Sequence, residues 1–577
     1  MTAPQRPASE RWEALAYGLA VSCLWAVALM LDPAGRESFR LPKSIAAASL
    51  ALASLVALAL AGRIVVSRRL VDSPALRAAL PLAFAATLAS LASPHRAHVL
   101  RAAPGLAVAL LTLVGWGNGF TSARLRRLLD ATLLPASLLA TIGILQFHGI
   151  FRPFGFSGPM LARFETTSLA GNVGDLGAAL VLPALVAQAA LATATSHRER
   201  WRRGVQLALL AYAIGASQTI AALLSLCAGS FAIWAIRLPR RRLLLGLGGL
   251  VVAAILAVGL VAPLRSRVVE KAQALAAGDV NRVLTGRLDG WRAALRMLGT
   301  HPALGVGQGA FAAAFVPVKL ELLDAGVTFF AEQQQVVFAN AHNELLEVGA
   351  ETGIAGLLAL VWALGQVFGA VKEKRQGPDR ALAVAGVAAI AVLSLAYFPF
   401  RVAIVGYPIL VFLAWLLHQA SSDTADEQPT RSARLAVAAA LTVALFLLLG
   451  VARDRFLANR LLRAAEARTM QAFSIATSPR GKAVLEGNLV LLDEARRRDP
   501  AEVGVLVARG SQFLLLGRAE SAAAAYREAL ALEPRPETYL NLARALKMAG
   551  HESEAGRELA VALRLSPHLA AEVGSGN

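Results

Sequence analysis

The chain has 577 residues, 56% of them apolar and only 16% charged, with a formal net charge of +19 and a mean hydropathy of +0.56. Soluble domains run at roughly 45–50% apolar and about 25% charged, so a single water-soluble globule is excluded. The positive charge does not mark a nucleic-acid surface, because the Lys and Arg residues sit in short loops between apolar runs, where they act as topology signals.

The first apolar run follows Arg6 and Arg11, lacks a small-residue cleavage site and leads into Leu31-Asp32-Pro33. It reads as a retained helix and not as a removed signal peptide. In chain order the predicted spans are 12–32, 42–62, 76–93, 99–118, 126–147, 172–195, 204–217, 219–236, 243–262, 344–370, 381–398, 402–418 and 435–451. A helix of about 20 residues crosses the roughly 30 Å of hydrocarbon in a bilayer. The seventh and eighth spans are short and separated by the polar Ser217-Gln218-Thr219, so they read as half-helices or one bent element. Cys23 and Cys227 fall inside apolar runs and form no disulfide or metal pattern. No metal and no cofactor are expected.

With the N-terminus on the cytoplasmic side, the inner segments hold 23 Lys and Arg residues. The short outer loops hold 8: Arg36, Arg40, Lys43, Arg96, Arg101, Arg152, Arg163 and Arg401. That bias sets the orientation. An odd span count then places the C-terminal tail outside, and a single miscounted span would reverse it. A loop of about 80 residues, 263–343, lies outside this vote, because long loops cross regardless of charge.

Beyond residue 452 the chain becomes charged and amphipathic. Gly517 to Gly550 and Pro534 to Pro567 are each 33 residues apart, and Pro500 to Pro534 is 34. That is the tetratricopeptide period, two helices with a Gly turn and a Pro stop. Small residues fall where such helices approach closely (Gly510 or Ala543, Ala522 or Ala555, Ala529 or Ala562), and Phe513 and Tyr526 fill spaces between. The expected fold is therefore all-α: a polytopic transmembrane bundle of about 12–13 spans with a C-terminal soluble domain of tetratricopeptide-like α-hairpins. The expected divisions are 1–262, 263–343, 344–451 and 452–577, with repeats at 501–534 and 535–567. Such repeats bind protein partners.

Ionisable groups close to a bilayer are costly and mark function by default. The densest set surrounds the long loop. Arg287, Arg292 and Arg296 lie on or beside one short helix, and guanidinium forks suit phosphate oxygens. Gly305, Gly307 and Gly309 follow His301-Pro302, a turn whose N–H groups suit an anion. His342-Asn343 opens the tenth span, and Glu344, Glu347 and Glu351 follow at helical spacing. A histidine there can take a proton from an acceptor hydroxyl while arginines hold a diphosphate. The competing reading makes His342 a helix cap and the arginines headgroup anchors.

At these positions the chain resembles the O-antigen ligase/polymerase superfamily of bacterial membrane glycosyltransferases. The pattern is Arg287, Trp291, Pro302, Gly305, Gly307, His342, Asn343, Leu346, Glu351, Gly353 and Gly356, in order and before a late span. The resemblance implies metal-independent transfer of glycan from a polyprenyl (undecaprenyl) diphosphate to a hydroxyl acceptor on the periplasmic face of the inner membrane, in lipopolysaccharide or other surface-polysaccharide biosynthesis. It implies His342 as the residue that activates the acceptor and Arg287 as a diphosphate ligand. Gly171-Asn172 matches a Gly-Asn pair of the family, and Asn172 and Asp175 are candidate substrate contacts. Where the family commonly carries Ser-Arg, this chain has Ser217-Gln218; Gln218 is a donor-binding candidate that can donate a hydrogen bond but carries no charge, so either Arg163 or Arg292 substitutes or donor binding differs. The acceptor is left open between lipid A-core (ligase), a second glycan (polymerase) and a protein. A non-catalytic scaffold carrying a protein-binding tail is the reading of another class.

Overall fold

The computed structural model describes residues 8–65, 67–151, 165–244, 262–330, 337–373, 379–418 and 430–571. Arg163 and most of the predicted ninth span lie outside the described residues. Every regular element among the described residues is a helix. Numbered here are α1 (Ala8–Leu29), α2 (Arg40–Leu60), α3 (Pro74–Ala92), α4 (Arg96–Gly119), α5 (Ser122–Ala131), α6 (Leu133–Phe147), α7 (Val173–Leu191), α8 (His197–Ser217) and α9 (Ile220–Arg237). The long loop holds α10 (Ala262–Ala276), α11 (Arg287–Thr300) and α12 (Phe311–Asp324). Then come α13 (Glu344–Glu373), α14 (Asp379–Ser394), α15 (Ala403–Leu416) and α16 (Arg431–Ala472). The tail continues with α17 (Pro479–Arg498), α18 (Val503–Leu515), α19 (Ala519–Leu532), α20 (Pro536–Met548) and α21 (Glu552–Leu565).

Nine helices among the described residues are long and apolar enough to cross a bilayer: α1 to α4, the α5–α6 pair, α7, α9, α13 and α16. The charged α8 and the shorter α14 and α15 pack into the same bundle. At its centre is α7, buried along nearly its whole length. Its small residues allow close helix approach, the usual basis of packing where lipid removes the hydrophobic drive. At Gly177, a Cβ would fall 2.7 Å from the Ser217 hydroxyl of α8.

Three expectations change. α8 and α9 are not half-helices: α8 has 21 residues and α9 has 18, about 31 and 27 Å at 1.5 Å per residue. They pack on α7 and touch each other little, because Gln218 between them adopts φ 50° and turns the chain away. The predicted continuous tenth span is broken at Gly353 (φ 62°, ψ −158°). The predicted last span does not end near 451: α16 runs 42 residues without interruption, about 63 Å, twice the hydrocarbon thickness. Its C-terminal half is the first helix of the tail. The next helices form hairpins that turn at Gly517 and Gly550, both with positive φ.

The basic segments meet at one end of the bundle, where Glu13 pairs with both Arg63 and Arg124 and Arg126 lies 3.7 Å from Asp379. The opposite end gathers the 30–39 loop, the start of α4, the long loop and the tail. Arg460 of α16 grips Asp32 at 2.9–3.2 Å, and the Asn459 amide oxygen accepts the Glu37 N–H at 2.8 Å. The three corner loops of the tail's 33-residue period all touch this face. Arg101 donates to the Ala501 carbonyl and pairs with Glu502, His98 meets Glu533 at 3.2 Å, and Lys319 donates to the Leu565 carbonyl at 3.0 Å. Tail and long loop thus share a side by direct contact, independently of any span count.

A cysteine at Gly35 would have its Cβ beside the Asn459 side chain. The double variant Gly35→Cys/Asn459→Cys is expected to form an intramolecular disulfide in an oxidising compartment, read as faster migration on a non-reducing gel. Absence of that bond in a folded, exported protein would contradict the shared side.

Candidate functional site

A helix broken beside a membrane leaves backbone N–H and C=O groups without intrahelical partners, and each must be satisfied from elsewhere. At Gly353 the partner is the Pro302–Gly307 turn of the long loop. Ile354 N–H donates to the Pro302 carbonyl at 2.8 Å and Ala355 N–H to Ala303 at 3.2 Å. In the other direction Val306 N–H donates to the Ala350 carbonyl and Gly307 N–H to Glu351, both at 2.9 Å. Contact is backbone on backbone. A Cβ on Gly353 would fall 2.4 Å from the Ala303 carbonyl carbon, and one on Gly305 2.4 Å from that of Glu351. The sequence reading of this turn as an anion-binding nest is therefore corrected: Gly305 N–H is held by His301, and the next two N–H groups by α13.

The joint fixes the first turns of α13 and the segment before them. The carboxylate of Glu347, fully buried, accepts from the Asn340 amide at 2.7 Å and from Ala341 N–H at 3.1 Å. Asn343 accepts from Leu346 N–H, capping the helix, and donates to the Leu395 carbonyl. Between these anchors His342 is held at φ 55°, a left-handed conformation that costs a non-glycine residue about 1–3 kcal/mol unless its surroundings impose it. Arg401 lies 3.4, 3.1 and 2.9 Å from Glu344, Glu347 and Glu351. Burial alone would lower its pKa, but the three carboxylates raise it. So the helical spacing of the three acids has a structural use: one cation gathers them. Glu351 also faces the Phe311 N–H at 3.4 Å, which ties in α12.

The His342 imidazole stands edge-on between Phe398 and Phe338, at centroid distances of 4.9 and 6.0 Å. Its Nδ1 is buried without a hydrogen-bond partner among the described residues. Burial first, then the charges of Arg287 and Arg40, lower its pKa to about 4. The ring is therefore neutral near pH 7 and able to accept a proton.

Arg287 opens α11 after Gly286, which takes φ 78°. Burial lowers its pKa, and among the described residues no carboxylate pairs with it. Trp291 is one helical turn on, so both project from one face, and its indole N–H is likewise buried without a partner. A half-buried cation and two buried nitrogens without partners among the described residues call for a ligand or a specific explanation.

Arg40, at the start of α2, was read in the sequence only as an outer-loop charge. It forms a two-pronged pair with Asp175, Nε to Oδ2 at 2.9 Å and Nη2 to Oδ1 at 3.0 Å. The Tyr397 hydroxyl donates to the same Asp175 at 2.5 Å. Asp175, 1% exposed, is thus engaged in orienting Arg40. Asn172 caps α7 through the N–H groups of Gly174 and Asp175. Gly171, at φ 78°, leaves room for the Phe39 ring, which a Cβ would strike at 2.2 Å. The Gly-Asn pair therefore seats the Phe39-Arg40 step.

Of the other sequence candidates, Arg292 donates to the Thr328 carbonyl and lies 3.9 Å from Asp289, within the loop. Gln218 sits at the α8–α9 turn, whose Thr219 hydroxyl reaches the Val173 carbonyl at the start of α7. Arg40, Arg401, Tyr397 and Phe398 were not recognised as site residues.

A family model described as O-antigen ligase matches residues 205–361. The chain carries an O-antigen ligase domain. The matched stretch contains Gln218, Arg287, Trp291, the 302–307 turn, His342 and the broken helix, and stops short of Arg401 and the tail. No curated protein matches the chain. The nine apolar helices among the described residues make this a multi-pass membrane protein, and the match over residues 205–361 relates that stretch to the O-antigen ligase family. Glycosyltransferase-type activity in polysaccharide biosynthesis is the activity class that goes with that domain.

Gly353→Ala is expected to destabilise the domain by at least the 1–3 kcal/mol or so of a residue forced into this glycine-only region, with a backbone clash in addition. The check is a lower apparent Tm and a smaller monodisperse fraction in detergent, with Gly349→Ala, where a Cβ meets only side chains at 3.4 Å or more, as the tolerated control.

Proposed function

We propose that this protein transfers glycan from a polyprenyl (undecaprenyl) diphosphate to a hydroxyl acceptor at the periplasmic face of a bacterial inner membrane, without a metal or cofactor. The observation that carries this reading is the half-buried Arg287 guanidinium, with no carboxylate paired to it among the described residues, acting on a neutral His342 whose Nδ1 is buried. A diphosphate leaving group requires positive charge that no protein carboxylate has neutralised. An acceptor hydroxyl requires a base that is unprotonated at working pH.

In this mechanism the acceptor O–H gives its proton to His342 as its oxygen attacks the anomeric carbon. The bond from that carbon to the phosphate oxygen breaks, and the electron pair leaves on polyprenyl diphosphate. Arg287 meets the growing charge. Arg40 has donors left beyond the two that Asp175 accepts, and it supplies the second guanidinium in place of the one that Gln218 lacks. The Trp291 indole N–H is a further donor on the Arg287 face. Electrostatic stabilisation of this kind acts where water is excluded and donors are already oriented.

Lipid A-core ligation, repeat-unit polymerisation and protein O-glycosylation share this donor step. A deletion strain separates them: accumulated lipid-linked polymer marks a ligase, and accumulated single repeat units mark a polymerase. A non-catalytic scaffold would have no need of a half-buried Arg287 that lacks a carboxylate partner among the described residues.

His342→Ala is expected to lower transfer by roughly 10²–10⁴-fold, the usual contribution of a general base, with expression intact. Normal surface glycan in that strain would overturn the assignment. Because the His342 pKa is lowered to about 4, the base stays competent through mild acid. Transfer in proteoliposomes should be flat from pH 7.5 to 5.5 and fall only as pH approaches 4, whereas half-loss near the ordinary histidine value of about 6.5 would contradict the buried neutral ring. Asp175→Asn removes the charge that orients Arg40 and is expected to raise the donor KM more than it lowers kcat.

A further inference from the structure

We propose that the last hairpin of the tail is a positioning element of the transferase site, with Leu565 completing the apolar core on which His342 is seated. This rests on the reading of His342 as the base. The tail is not tethered by a linker but grows directly out of α16 and lies against the long loop. Leu565, at the end of α21 and 1% exposed, belongs to one buried cluster with Met297 of α11, Phe311 and Phe315 of α12, Phe338, Ala341 and Ala350 of α13. Tyr539 and Val561 pack on the same cluster from the tail side.

The cluster leads to the site through contiguous rings. Phe315 lies 5.3 Å from Phe338, and Phe338 6.0 Å from His342. Interiors are close-packed, so a change at one end displaces the other. Polar contacts hold the same seam. The Lys319 ammonium donates to the Leu565 carbonyl at 3.0 Å, where the C-terminal end of α21 favours a cation. Arg564 pairs with Asp324. α12 is thereby bracketed, by Glu351 at its first residue and by the tail along its later turns. The tail thus backs the cluster that holds Phe315 and Phe338, the ring against His342.

The test uses the full-length protein in nanodiscs. Leu565→Asp places a charge in the cluster, and Leu565→Met keeps its volume. Hydrogen–deuterium exchange should rise in peptides covering 311–324 and 337–343 for the aspartate variant and return to the native level for methionine. Transfer should fall by roughly 10²-fold, the order expected of about 1 Å of misplacement at a reacting group, and recover with methionine. Its pH profile should also change. Arg287, Arg40, Glu347 and Arg401 surround the 340–342 turn unaltered, so a ring hydrated through the loosened seam would lose activity nearer pH 6 where the native profile is flat. Should Leu565→Asp fail to fold, Val561→Ala and Lys319→Met offer milder cuts at the same seam with the same readouts. Unchanged exchange and an unchanged pH profile in well-folded variants would overturn the proposal. Raised exchange at 337–343, with glycan transfer intact in both Leu565→Asp and His342→Ala, would uphold the seam and overturn the reading of His342 instead.

Discussion

Much of this molecule depends on one backbone joint. Breaking α13 at Gly353 exposes N–H and C=O groups that neither lipid nor a side chain satisfies here, and the Pro302–Gly307 turn takes up four of them. The two glycines facing each other across the joint each leave room for the other's main chain. So the Pro-x-x-Gly-x-Gly and Glu-x-Gly patterns are two halves of a single contact. Neither half is stable alone, because each would hold unsatisfied polar groups in a buried place. The loop must therefore dock for the span to adopt its break, and the break aims the first turns of α13 at Arg401 and at the His342 turn.

Charge follows the same logic of mutual dependence. Basic residues are depleted from the outer loops of a polytopic protein, and several at the tail-bearing end of this bundle have particular uses. Lys43 donates to the last carbonyls of α1. Arg36 and Arg101 hold the tail, Arg401 gathers three glutamates, and Arg40 is aligned by Asp175. Arg287, in the long loop, is the contrast: it is half-buried with no counter-ion among the described residues. Withdrawing a lone cation from water is costly, and the proposed binding of an anionic diphosphate would offset that cost.

These pairings also explain which parts were legible in the sequence. Most apolar helices could be located because hydropathy is a local property, although the bounds of the seventh, eighth, tenth and last spans changed, and the tail's periodicity because similar residue types recur at fixed spacing. The motif from Arg287 to Gly356 could be read as a pattern, though not as a joint. Arg40 and Tyr397 could not, since their shared partner Asp175 is 135 and 222 residues away and nothing local marks either pair. A signal was nonetheless present in Arg40 and Arg401: the orientation rule assigns each to an outer loop, where positive charge is disfavoured, and such a residue needs a reason to persist. The continuity of α16 was hidden for a different reason. A helix leaving the membrane changes from apolar to amphipathic without any change in backbone, so a composition boundary near 452 is not a structural boundary.

His342 shows how much surrounding structure one strained residue requires. Its backbone is left-handed, its ring is largely desolvated, and its Nδ1 lacks a partner among the described residues; each condition by itself would relax. The backbone is held because Glu347 binds the two residues before it, and Glu347 is in turn held by Arg401. The ring stays dry because Phe398 and Phe338 flank it, and Phe338 is backed by Phe315 and the cluster that includes Leu565. These supports come from the span, the loop that leads into it, the segment after α14 and the tail, the last two far from His342 in sequence. A strained group supported from four directions has few ways to relax, and that rigidity is what keeps a neutral imidazole beside two guanidinium groups without replacing either of their charges.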